Sequence, residues 1–349
     1  GLKGDPLNCH AEPFRPFLDF AFRFEIGYIV HCPLKQFGGE GTILDAVVRV
    51  RPAHGAAVIL GDFYRIPAIT PALRSSINFK RLHNEIEFSG AFTAGVGEYP
   101  VDLVVADDHH RIYRHSWSSK AFPHGDERKA AIALPPDTVA ALRLPSWHAN
   151  RARKTSGLRL TVLLDASPIN PYALKLRAWD RAFLLDSLSS LLNEIPFTSV
   201  RIVAFNLDQQ REIFRQEQLD RSTFRRLSGA LRELELGTVP YRAVANQDGW
   251  AELLSTLLAG EMAARPLADA IVFLGPTVRL YRKMPTGMLN FSPDSGPKLF
   301  YFEYFPQRGS EFPDAIHHLT SAAKGKVFRL HSPGELAENI RKMQQDLQP

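Results

Sequence analysis

One stretch of 13 residues, LRLTVLLDASPIN at positions 158 to 170, constrains the fold of this chain more than any other. Its first half is an unbroken apolar run, which is typical of a strand buried on both faces of a parallel sheet. Its second half turns polar at once and carries Asp165, Ser167 and Asn170. In open α/β sheets, ligands bind beyond the carboxyl ends of the strands. We therefore predict a buried strand that ends in a candidate binding loop.

The residues after this loop alternate between helical and strand patterns. A helix is predicted from about residue 172 to 195, with Leu176, Trp179 and Phe183 on its apolar face, and Trp179 is expected to be buried. Further strands are predicted over residues 199–205, 211–219, 270–274, 299–305 and 327–330, and further helices over 221–234, 250–262, 311–323 and from Ser332 onward. Strands that alternate with helices favour a parallel sheet covered on both faces. The predicted class is therefore α/β, with a doubly wound, mostly parallel sheet.

The first 120 residues have a different pattern. Apolar and polar residues alternate from residue 18 to 30, which indicates a half-buried antiparallel strand. Further strands are predicted over residues 42–51, 57–66, 84–92, 99–106 and 111–117, with a hairpin turn at residues 107–110. Many strands at this spacing are typical of an all-β sandwich. The predicted organisation is a β-sandwich domain over residues 1–120, a proline-rich linker over 121–157, and the α/β domain over 158–349.

Composition argues against several classes of protein. The 349 residues carry a net charge of +5, and the basic residues follow no face with aromatic residues between them, which argues against a nucleic-acid partner. No apolar run approaches the ~20 residues of a membrane helix, so the chain is not predicted to span a membrane. The two cysteines, Cys9 and Cys32, are too few for a disulfide scaffold or a zinc site. They form one bridge if the protein lies outside the cytosol, or they remain two buried thiols.

Sequence motifs for catalysis are missing. The chain contains no G-x-S-x-G nucleophile elbow, no G-x-x-x-x-G-K phosphate loop and no G-x-G-x-x-G dinucleotide loop. Histidines cluster at positions 109, 110 and 115 and at positions 317 and 318, but adjacent histidines diverge on a strand or a helix. We interpret them as surface histidines and predict no catalytic residue.

The segment from about residue 158 to the C-terminus resembles a von Willebrand factor type A domain. The order of its predicted elements, the edge hairpin after its second strand, and Asp165-Ala166-Ser167 at the end of its first strand carry this resemblance. With SGAF at positions 89–92 and GVGEY at positions 95–99, the chain is similar to the von Willebrand factor A-related proteins of acidobacteria. The resemblance implies a metal-ion-dependent adhesion site. In such a site a D-x-S-x-S loop, a threonine and a second aspartate hold a divalent cation for a partner's carboxylate.

Only part of that adhesion motif is present. Asp165 and Ser167 match its first two positions, and Thr238 after Gly237 matches its threonine loop. Ile169 stands where the second serine is expected, and Gly275-Pro276-Thr277 stands where the third loop should supply an aspartate. One carboxylate and two hydroxyls are a poor ligand set for Mg²⁺ or Ca²⁺. We therefore predict a degenerate site without metal, in which Asp165 and Ser167 cap the helix or bond to loop amides.

The predicted function is non-enzymatic protein–protein interaction of the adhesion type, without a cofactor and with an unknown protein partner. Its predicted partner-binding residues are Asp165, Ser167, Asn170 and Thr238. Two alternatives stay open. One is functional metal-dependent adhesion, with Asp165, Ser167 and Thr238 holding Mg²⁺ or Ca²⁺. The other is a hydrolase or another enzyme on the same doubly wound sheet. The resemblance also implies a periplasmic or secreted protein.

Overall fold

The computed structural model describes residues 5–78, 81–145, 153–170, 172–238, 241–278, 296–305 and 312–348, together with positions 280, 283 and 285. The chain divides into two compact units. The first unit contains Gly1–His124 and Ile132–Arg143, and the second contains Gly125–Ala131 and Leu144–Pro349. Each unit is therefore assembled from two separate stretches of the chain.

The first unit is built from two antiparallel sheets. The strands of one sheet are β1 (His10–Pro13), β2 (Phe17–Leu18), β3 (Phe24–Pro33), β6 (Glu85–Ala94) and β9 (Val139–Ala141), in the order β1-β3-β6-β9 with β2 beside β3. Those of the other are β4 (Thr42–Val50), β5 (Val58–Ile66), β7 (Gly97–Asp107) and β8 (Ile112–Ala121), in the order β5-β4-β7-β8. A short helix, α1 (Pro71–Ser76), follows β5, and a 3-10 turn (Leu34–Phe37) follows β3.

Alternating apolar residues explain these strands. In β4 the even-numbered residues Leu44, Ala46, Val48 and Val50 are buried, while the residues between them are exposed. Aromatic contacts join the strands further, since Tyr28 packs edge-on against Trp117 and Tyr64 packs against Phe88. A disulfide bond joins Cys9 to Cys32 on β3. Of the two alternatives that the sequence left open for these cysteines, the structure contains the bridge.

The second unit contains one six-stranded sheet and most of the helices. Its strands are β10 (Arg153–Asp165), β11 (Phe197–Asn206), β12 (Arg211–Gln216), β13 (Ala270–Pro276), β14 (Lys298–Tyr304) and β15 (Lys326–Leu330), in the order β12-β11-β10-β13-β14-β15. Its helices are α2 (Ala178–Glu194), α3 (Thr223–Arg232), α4 (Tyr241–Ala245), α5 (Gly249–Ala263), α6 (Ala315–Ala322) and α7 (Pro333–Leu347). Within the described ranges, no helix is long and apolar enough to cross a membrane.

The predicted fold class, a doubly wound and mostly parallel α/β sheet of the von Willebrand factor A type behind a sandwich, is wrong for this chain. The described part of the chain is mostly β, with 38% of its residues in strands and 27% in helices. The six-stranded sheet is mixed, because β12 pairs antiparallel with β11. The described residues form three sheets, each antiparallel or mixed. The apolar runs of the second unit located its strands but not the class of the fold.

Helix α2 differs from its prediction at its N-terminus. It begins at Ala178 rather than near residue 172, because the chain before it forms a bridge between Lys175 and Glu235. Trp179, which was expected to be buried, lies on the first turn with 51% of its surface exposed. The buried face begins one turn later, with Phe183 and Leu184. The prediction for Trp179 is therefore wrong.

A short segment near the middle of the chain contacts the last helix. This segment, a 3-10 turn over Gly125–Lys129, belongs to the second unit although it lies between β8 and β9 in the sequence. Its Lys129 forms a 2.5 Å ion pair with Glu338, and its Asp126 accepts a hydrogen bond from Ser332 at the N-cap of α7. Ser332 also accepts a hydrogen bond from the backbone N–H of Glu335, which caps the N-terminus of α7.

Candidate functional site

The predicted binding loop begins at the carboxyl end of β10, beside the ends of two parallel neighbours. Asp165 is the last residue of β10 and lies opposite Phe205 of β11, while Leu164 lies opposite Leu274 of β13. Gly275 follows directly, and a side chain added there would bring its Cβ to 2.7 Å from the Cβ of Asp165. Real Cβ atoms do not approach so closely, so the backbone of β13 can pass Asp165 only with glycine at this position. An aspartate in place of Gly275 would collide with Asp165.

Asp165 is fully buried and only partly hydrogen-bonded. Its Oδ1 accepts a 2.8 Å hydrogen bond from Ser167, but its Oδ2 has no hydrogen-bond partner among the described residues. Burial raises the pKa of the Asp165 carboxyl well above its usual range, and the negative charges of Asp314 and Asp208 raise it further against the lowering effect of Ser167. A raised pKa shifts this carboxyl towards its protonated form, which is a weaker ligand for a hard cation than a carboxylate is.

The other predicted site residues do not gather around Asp165. Ser167 is buried, and its hydroxyl donates a 2.8 Å hydrogen bond to Asp165. Asn170 is exposed, and its side-chain oxygen accepts a 3.1 Å hydrogen bond from the backbone N–H of Tyr172. Thr238 is also exposed, and the described contacts include none between it and Asp165 or Ser167. The structure thus joins only two of the four predicted residues.

Helix α2 holds the loop in place through Asp180, a residue that the sequence did not single out. One carboxylate oxygen of Asp180 accepts a 2.9 Å hydrogen bond from the backbone N–H of Ile169, and the other accepts a 2.6 Å bond from that of Arg177. Ile169 is the residue that replaces the second serine of the adhesion motif. Its backbone N–H is therefore bonded to a protein carboxylate.

A buried polar network that the sequence analysis missed lies near Asp165. Asp314 is the N-cap of α6 and accepts a 2.8 Å hydrogen bond from the backbone N–H of His317. Its other oxygen accepts hydrogen bonds from Tyr301 and from the backbone N–H of Val278, each at 3.0 Å. Burial raises the pKa of Asp314. Asp314 lies inside the helix predicted over residues 311–323, whereas the helix begins only at Ala315, so neither its capping role nor its approach to Asp165 was predicted from the sequence.

A second polar group surrounds Glu303 on β14. Glu303 is fully buried, with Oε2 at 3.0 Å from Nδ1 of His317 and at 3.6 Å from Nε of Arg329. Burial lowers the pKa of His317, and the nearby charges of Arg329 and His318 lower it further. His317 is therefore a half-buried neighbour of a carboxylate, and its interpretation as a surface histidine is wrong. Within the described contacts, no serine or cysteine lies beside it to act as a nucleophile.

Three acidic and histidine side chains meet on the hairpin between β7 and β8, at Asp107, Asp108 and His109. Asp107 accepts hydrogen bonds from the backbone N–H groups of His109 and Arg111 and forms a 2.7 Å ion pair with the Arg111 side chain. Asp108 bonds to Thr42 and lies 2.9 Å from His109. These partners account for the carboxylates, so the group stabilises the predicted hairpin turn.

The first unit exposes an apolar surface on its four-stranded sheet. We call it the apolar face, and it consists of Ile43 and Val47 on β4 and Ile59 and Phe63 on β5. Ile59 and Phe63 are 68% and 72% exposed, which is far more than side chains of this size have in a core. All four point away from the buried row of Leu44, Ala46 and Val48, because they occupy the alternate positions of their strands. Asp45 and Arg49 lie on the same face, opposite Phe63 and Ile59, so the apolar side chains are interspersed with charged ones.

Comparison with known proteins assigns the chain to no family. No protein-family model and no curated protein matches it. Solved structures with detectable similarity include a Bordetella pertussis protein assigned as an ApaA protein, with 9% identity over 35% of this chain and 100% of that chain and a TM-score of 0.22. They also include a glycosyl hydrolase family 2 member from Bacteroides cellulosilyticus, with 9% identity over 86% of this chain and 36% of that one and a TM-score of 0.22. This chain thus spans about a third of that hydrolase. At these TM-scores neither similarity carries an argument, and the resemblance to von Willebrand factor A-related proteins stays a prediction.

The state of Asp165 leads to a prediction about pH. Its folded-state pKa is raised above the unfolded value of 3.8, so wild-type protein loses stability as the pH rises from that value through the folded-state pKa. An asparagine side chain cannot ionise and has nearly the same shape as that of aspartate. We therefore expect Asp165→Asn to raise the melting temperature at neutral pH, with a gain that disappears as the pH falls below about 4. Thermal unfolding across this pH range measures the difference.

Asp269 provides a control of opposite sign for this experiment. The hydrogen bond from Arg159 lowers the pKa of Asp269, so this carboxylate stabilises the fold above its unfolded pKa and loses that effect on acidification. Asp269→Asn should therefore lower the melting temperature at neutral pH. If Asp165→Asn behaves like Asp269→Asn, the carboxyl of Asp165 is charged in the folded state and the argument for a neutral Asp165 fails.

Proposed function

We propose that this chain is a non-enzymatic protein–protein interaction protein of the adhesion type, which binds its partner through the apolar face of its first unit. The observation that carries the proposal is the exposure of Ile59 and Phe63, which lie on the same face of β5 with Gly61 between them. Burying a side chain of this kind stabilises a complex by about 1.5–3 kcal/mol. Two such residues at the centre of an interface would act as its anchors.

The arrangement around Asp165 supports adhesion without a metal ion. A buried carboxyl whose pKa is raised would have to lose its proton and face a cation, with Ser167 as its only bonded hydroxyl. Asp180 already accepts a hydrogen bond from the loop backbone. We accordingly propose that millimolar Mg²⁺, Ca²⁺ or Mn²⁺ neither stabilises the protein nor promotes binding. A cation at 100 times its dissociation constant would add ~2.7 kcal/mol to the free energy of unfolding, which thermal unfolding detects.

We also propose a place outside the cytoplasm for this protein, either periplasmic or secreted. The Cys9–Cys32 disulfide supports this, because such bonds form and persist in oxidising compartments and are rare in the cytosol.

Affinity capture with matched variants tests the proposed function. Immobilised wild-type protein and an Ile59→Ser/Phe63→Ser variant are each exposed to a periplasmic or secreted fraction, and the retained proteins are quantified. Leu73→Ser is the control, because Leu73 is 54% exposed but lies on α1 outside the apolar face. A partner of the apolar face should be retained by wild type and by Leu73→Ser, and lost at least tenfold by the double variant, since 1.4 kcal/mol corresponds to a factor of ten.

A further variant separates the apolar face from the predicted loop residues. Asn170→Ala/Thr238→Ala changes the two predicted partner-binding residues that are exposed. If this variant loses the retained proteins while Ile59→Ser/Phe63→Ser keeps them, the binding surface lies at the loops and our proposal for the apolar face is wrong. Retention that EDTA abolishes would instead favour metal-dependent adhesion.

A further inference from the structure

A cleft opens in the first unit, between the segment that joins β1 to β2 and the last residues of β8. Its volume is about 420 Å³. The sites at which proteins bind small molecules usually measure about 300–1,000 Å³ and combine aromatic walls with a few polar groups. This cleft has that composition, because Phe14, Trp117 and Phe122 line it together with the cationic side chains of Arg15 and Lys120.

The aromatic wall of the cleft is held in place by its surroundings. Gly27 leaves room for the ring of Phe14, since any side chain at that position would overlap with the ring. The backbone N–H of Phe14 also donates a 3.1 Å hydrogen bond to the carbonyl of Gly27. Trp117 packs edge-on against Tyr28, and its indole N–H donates a 3.0 Å hydrogen bond to Ser119. A wall that is already fixed loses little conformational freedom when a ligand binds, which favours affinity.

The charge of the cleft favours an anionic ligand. Among the described residues that line it, none is acidic. The ammonium group of Lys120 already forms a 2.9 Å ion pair with Glu98. Arg15 is exposed, and the contacts within the described ranges include no ion pair or hydrogen bond of its guanidinium group. A guanidinium group matches a carboxylate through two parallel N–H···O bonds, so a carboxylate is the group that Arg15 is suited to bind.

We propose that this cleft binds a small aromatic carboxylic acid, with its ring against Phe14, Trp117 and Phe122 and its carboxylate on Arg15. Aromatic side chains attract a further ring in edge-on or offset arrangements, in addition to the effect of burying its surface. A ring alone would leave Arg15 without an anionic partner, and a carboxylate alone would leave the aromatic wall exposed. The two features together specify a ligand that carries both groups.

This site is separate from the surface to which the proposed function is assigned. The apolar face lies on β4 and β5, whereas the cleft lies at β8, and β5 and β8 are the two outer strands of the four-stranded sheet. The cleft and the apolar face share no residue. Binding of the acid therefore goes beyond the proposed function and does not depend on it.

Isothermal titration calorimetry of the full-length protein tests the proposal with matched probes. The probes are hydrocinnamate, its uncharged amide hydrocinnamide, and propionate, which keeps the charge but lacks the ring. Wild-type protein should bind hydrocinnamate about tenfold more tightly than either of the others, since each of them lacks one of the two contacts. Equal binding of the acid and the amide, or no detectable binding of the acid, would overturn the proposal.

Variants then locate the bound acid. Arg15→Gln should bind hydrocinnamate no better than hydrocinnamide, while Arg65→Gln, which changes an exposed arginine on β5, should keep the preference for the acid. Phe122→Ser should weaken the binding of both ring compounds and leave that preference unchanged, because it removes part of the wall but not the charge. Phe122 is 42% exposed, so its replacement should not unfold the first unit. An Arg15→Gln protein that still prefers the acid would contradict the site, and loss of binding in Ile59→Ser/Phe63→Ser would place the ligand on the apolar face instead.

Discussion

Glu261→Gln is expected to lower the free energy of unfolding of the second unit by about 3–5 kcal/mol, the usual cost of breaking a buried ion pair from one side. Glu261 is 1% exposed on α5. Its carboxylate accepts hydrogen bonds from Arg201 at 2.9 Å, Arg215 at 2.9 Å and Thr161 at 3.0 Å. All three partners are donors, so the amide group of glutamine would place a fourth donor against one of them. The half-buried arginines would also lose their compensating charge.

The neighbouring Glu217 provides the control. It lies 4.0 Å from Arg201 and 3.5 Å from Arg215 but is 63% exposed, so Glu217→Gln should cost less than about 1 kcal/mol. Urea unfolding of both variants measures the difference. If Glu261→Gln costs no more than Glu217→Gln, the buried carboxylate is not what holds α5 to the sheet.

The second large effect is expected from the disulfide. The double variant Cys9→Ala/Cys32→Ala should lower the free energy of unfolding of the first unit by about 3 kcal/mol. The bond joins cysteines with a sequence separation of 23, so it restricts the conformations of the unfolded chain. Cys32 is fully buried, and alanine fills part of its site without adding a polar group.

Wild-type protein with and without a reductant is the matched comparison for that variant. Reduction should lower the melting temperature of wild type towards that of Cys9→Ala/Cys32→Ala and leave the variant unchanged. Equal melting temperatures for the variant and for oxidised wild type would show that the bond adds nothing to the stability of the fold.

Local patterns predicted several strands, because a strand that is buried on one face shows alternating apolar and polar residues in its sequence. The strand predicted over residues 42–51 corresponds to β4 (Thr42–Val50), and the apolar run before Asp165 corresponds to the end of β10. The strand predicted over residues 18–30 is interrupted, because β2 ends at Leu18 and β3 begins only at Phe24. The fold class was wrong because local patterns do not record the balance of the whole fold. The described residues form three antiparallel or mixed sheets, with 38% of them in strands and 27% in helices.

The candidate site could be predicted only where its residues are neighbours in sequence. Asp165 and Ser167 bond to each other two residues apart, and the turn from apolar to polar residues located them. The charge of Asp314 raises the pKa of Asp165, but the two residues are far apart in sequence and no motif connects them. The tight approach of Gly275 to Asp165 is also invisible in the sequence, although it explains why no aspartate can stand at that position.

The interleaved assignment of the chain to its two units has a consequence for synthesis. The 3-10 turn that contacts α7 leaves the ribosome long before its partners do, since Asp126 and Ser332 are 206 residues apart and Lys129 and Glu338 are 209 apart. At about 5–20 residues per second, translation of that interval takes roughly 10–40 s. During this time the first unit can fold as soon as Arg143 has emerged, whereas the 3-10 turn cannot yet contact α7. A nascent chain stalled before residue 332 would therefore hold a finished N-terminal unit and an unfinished C-terminal one.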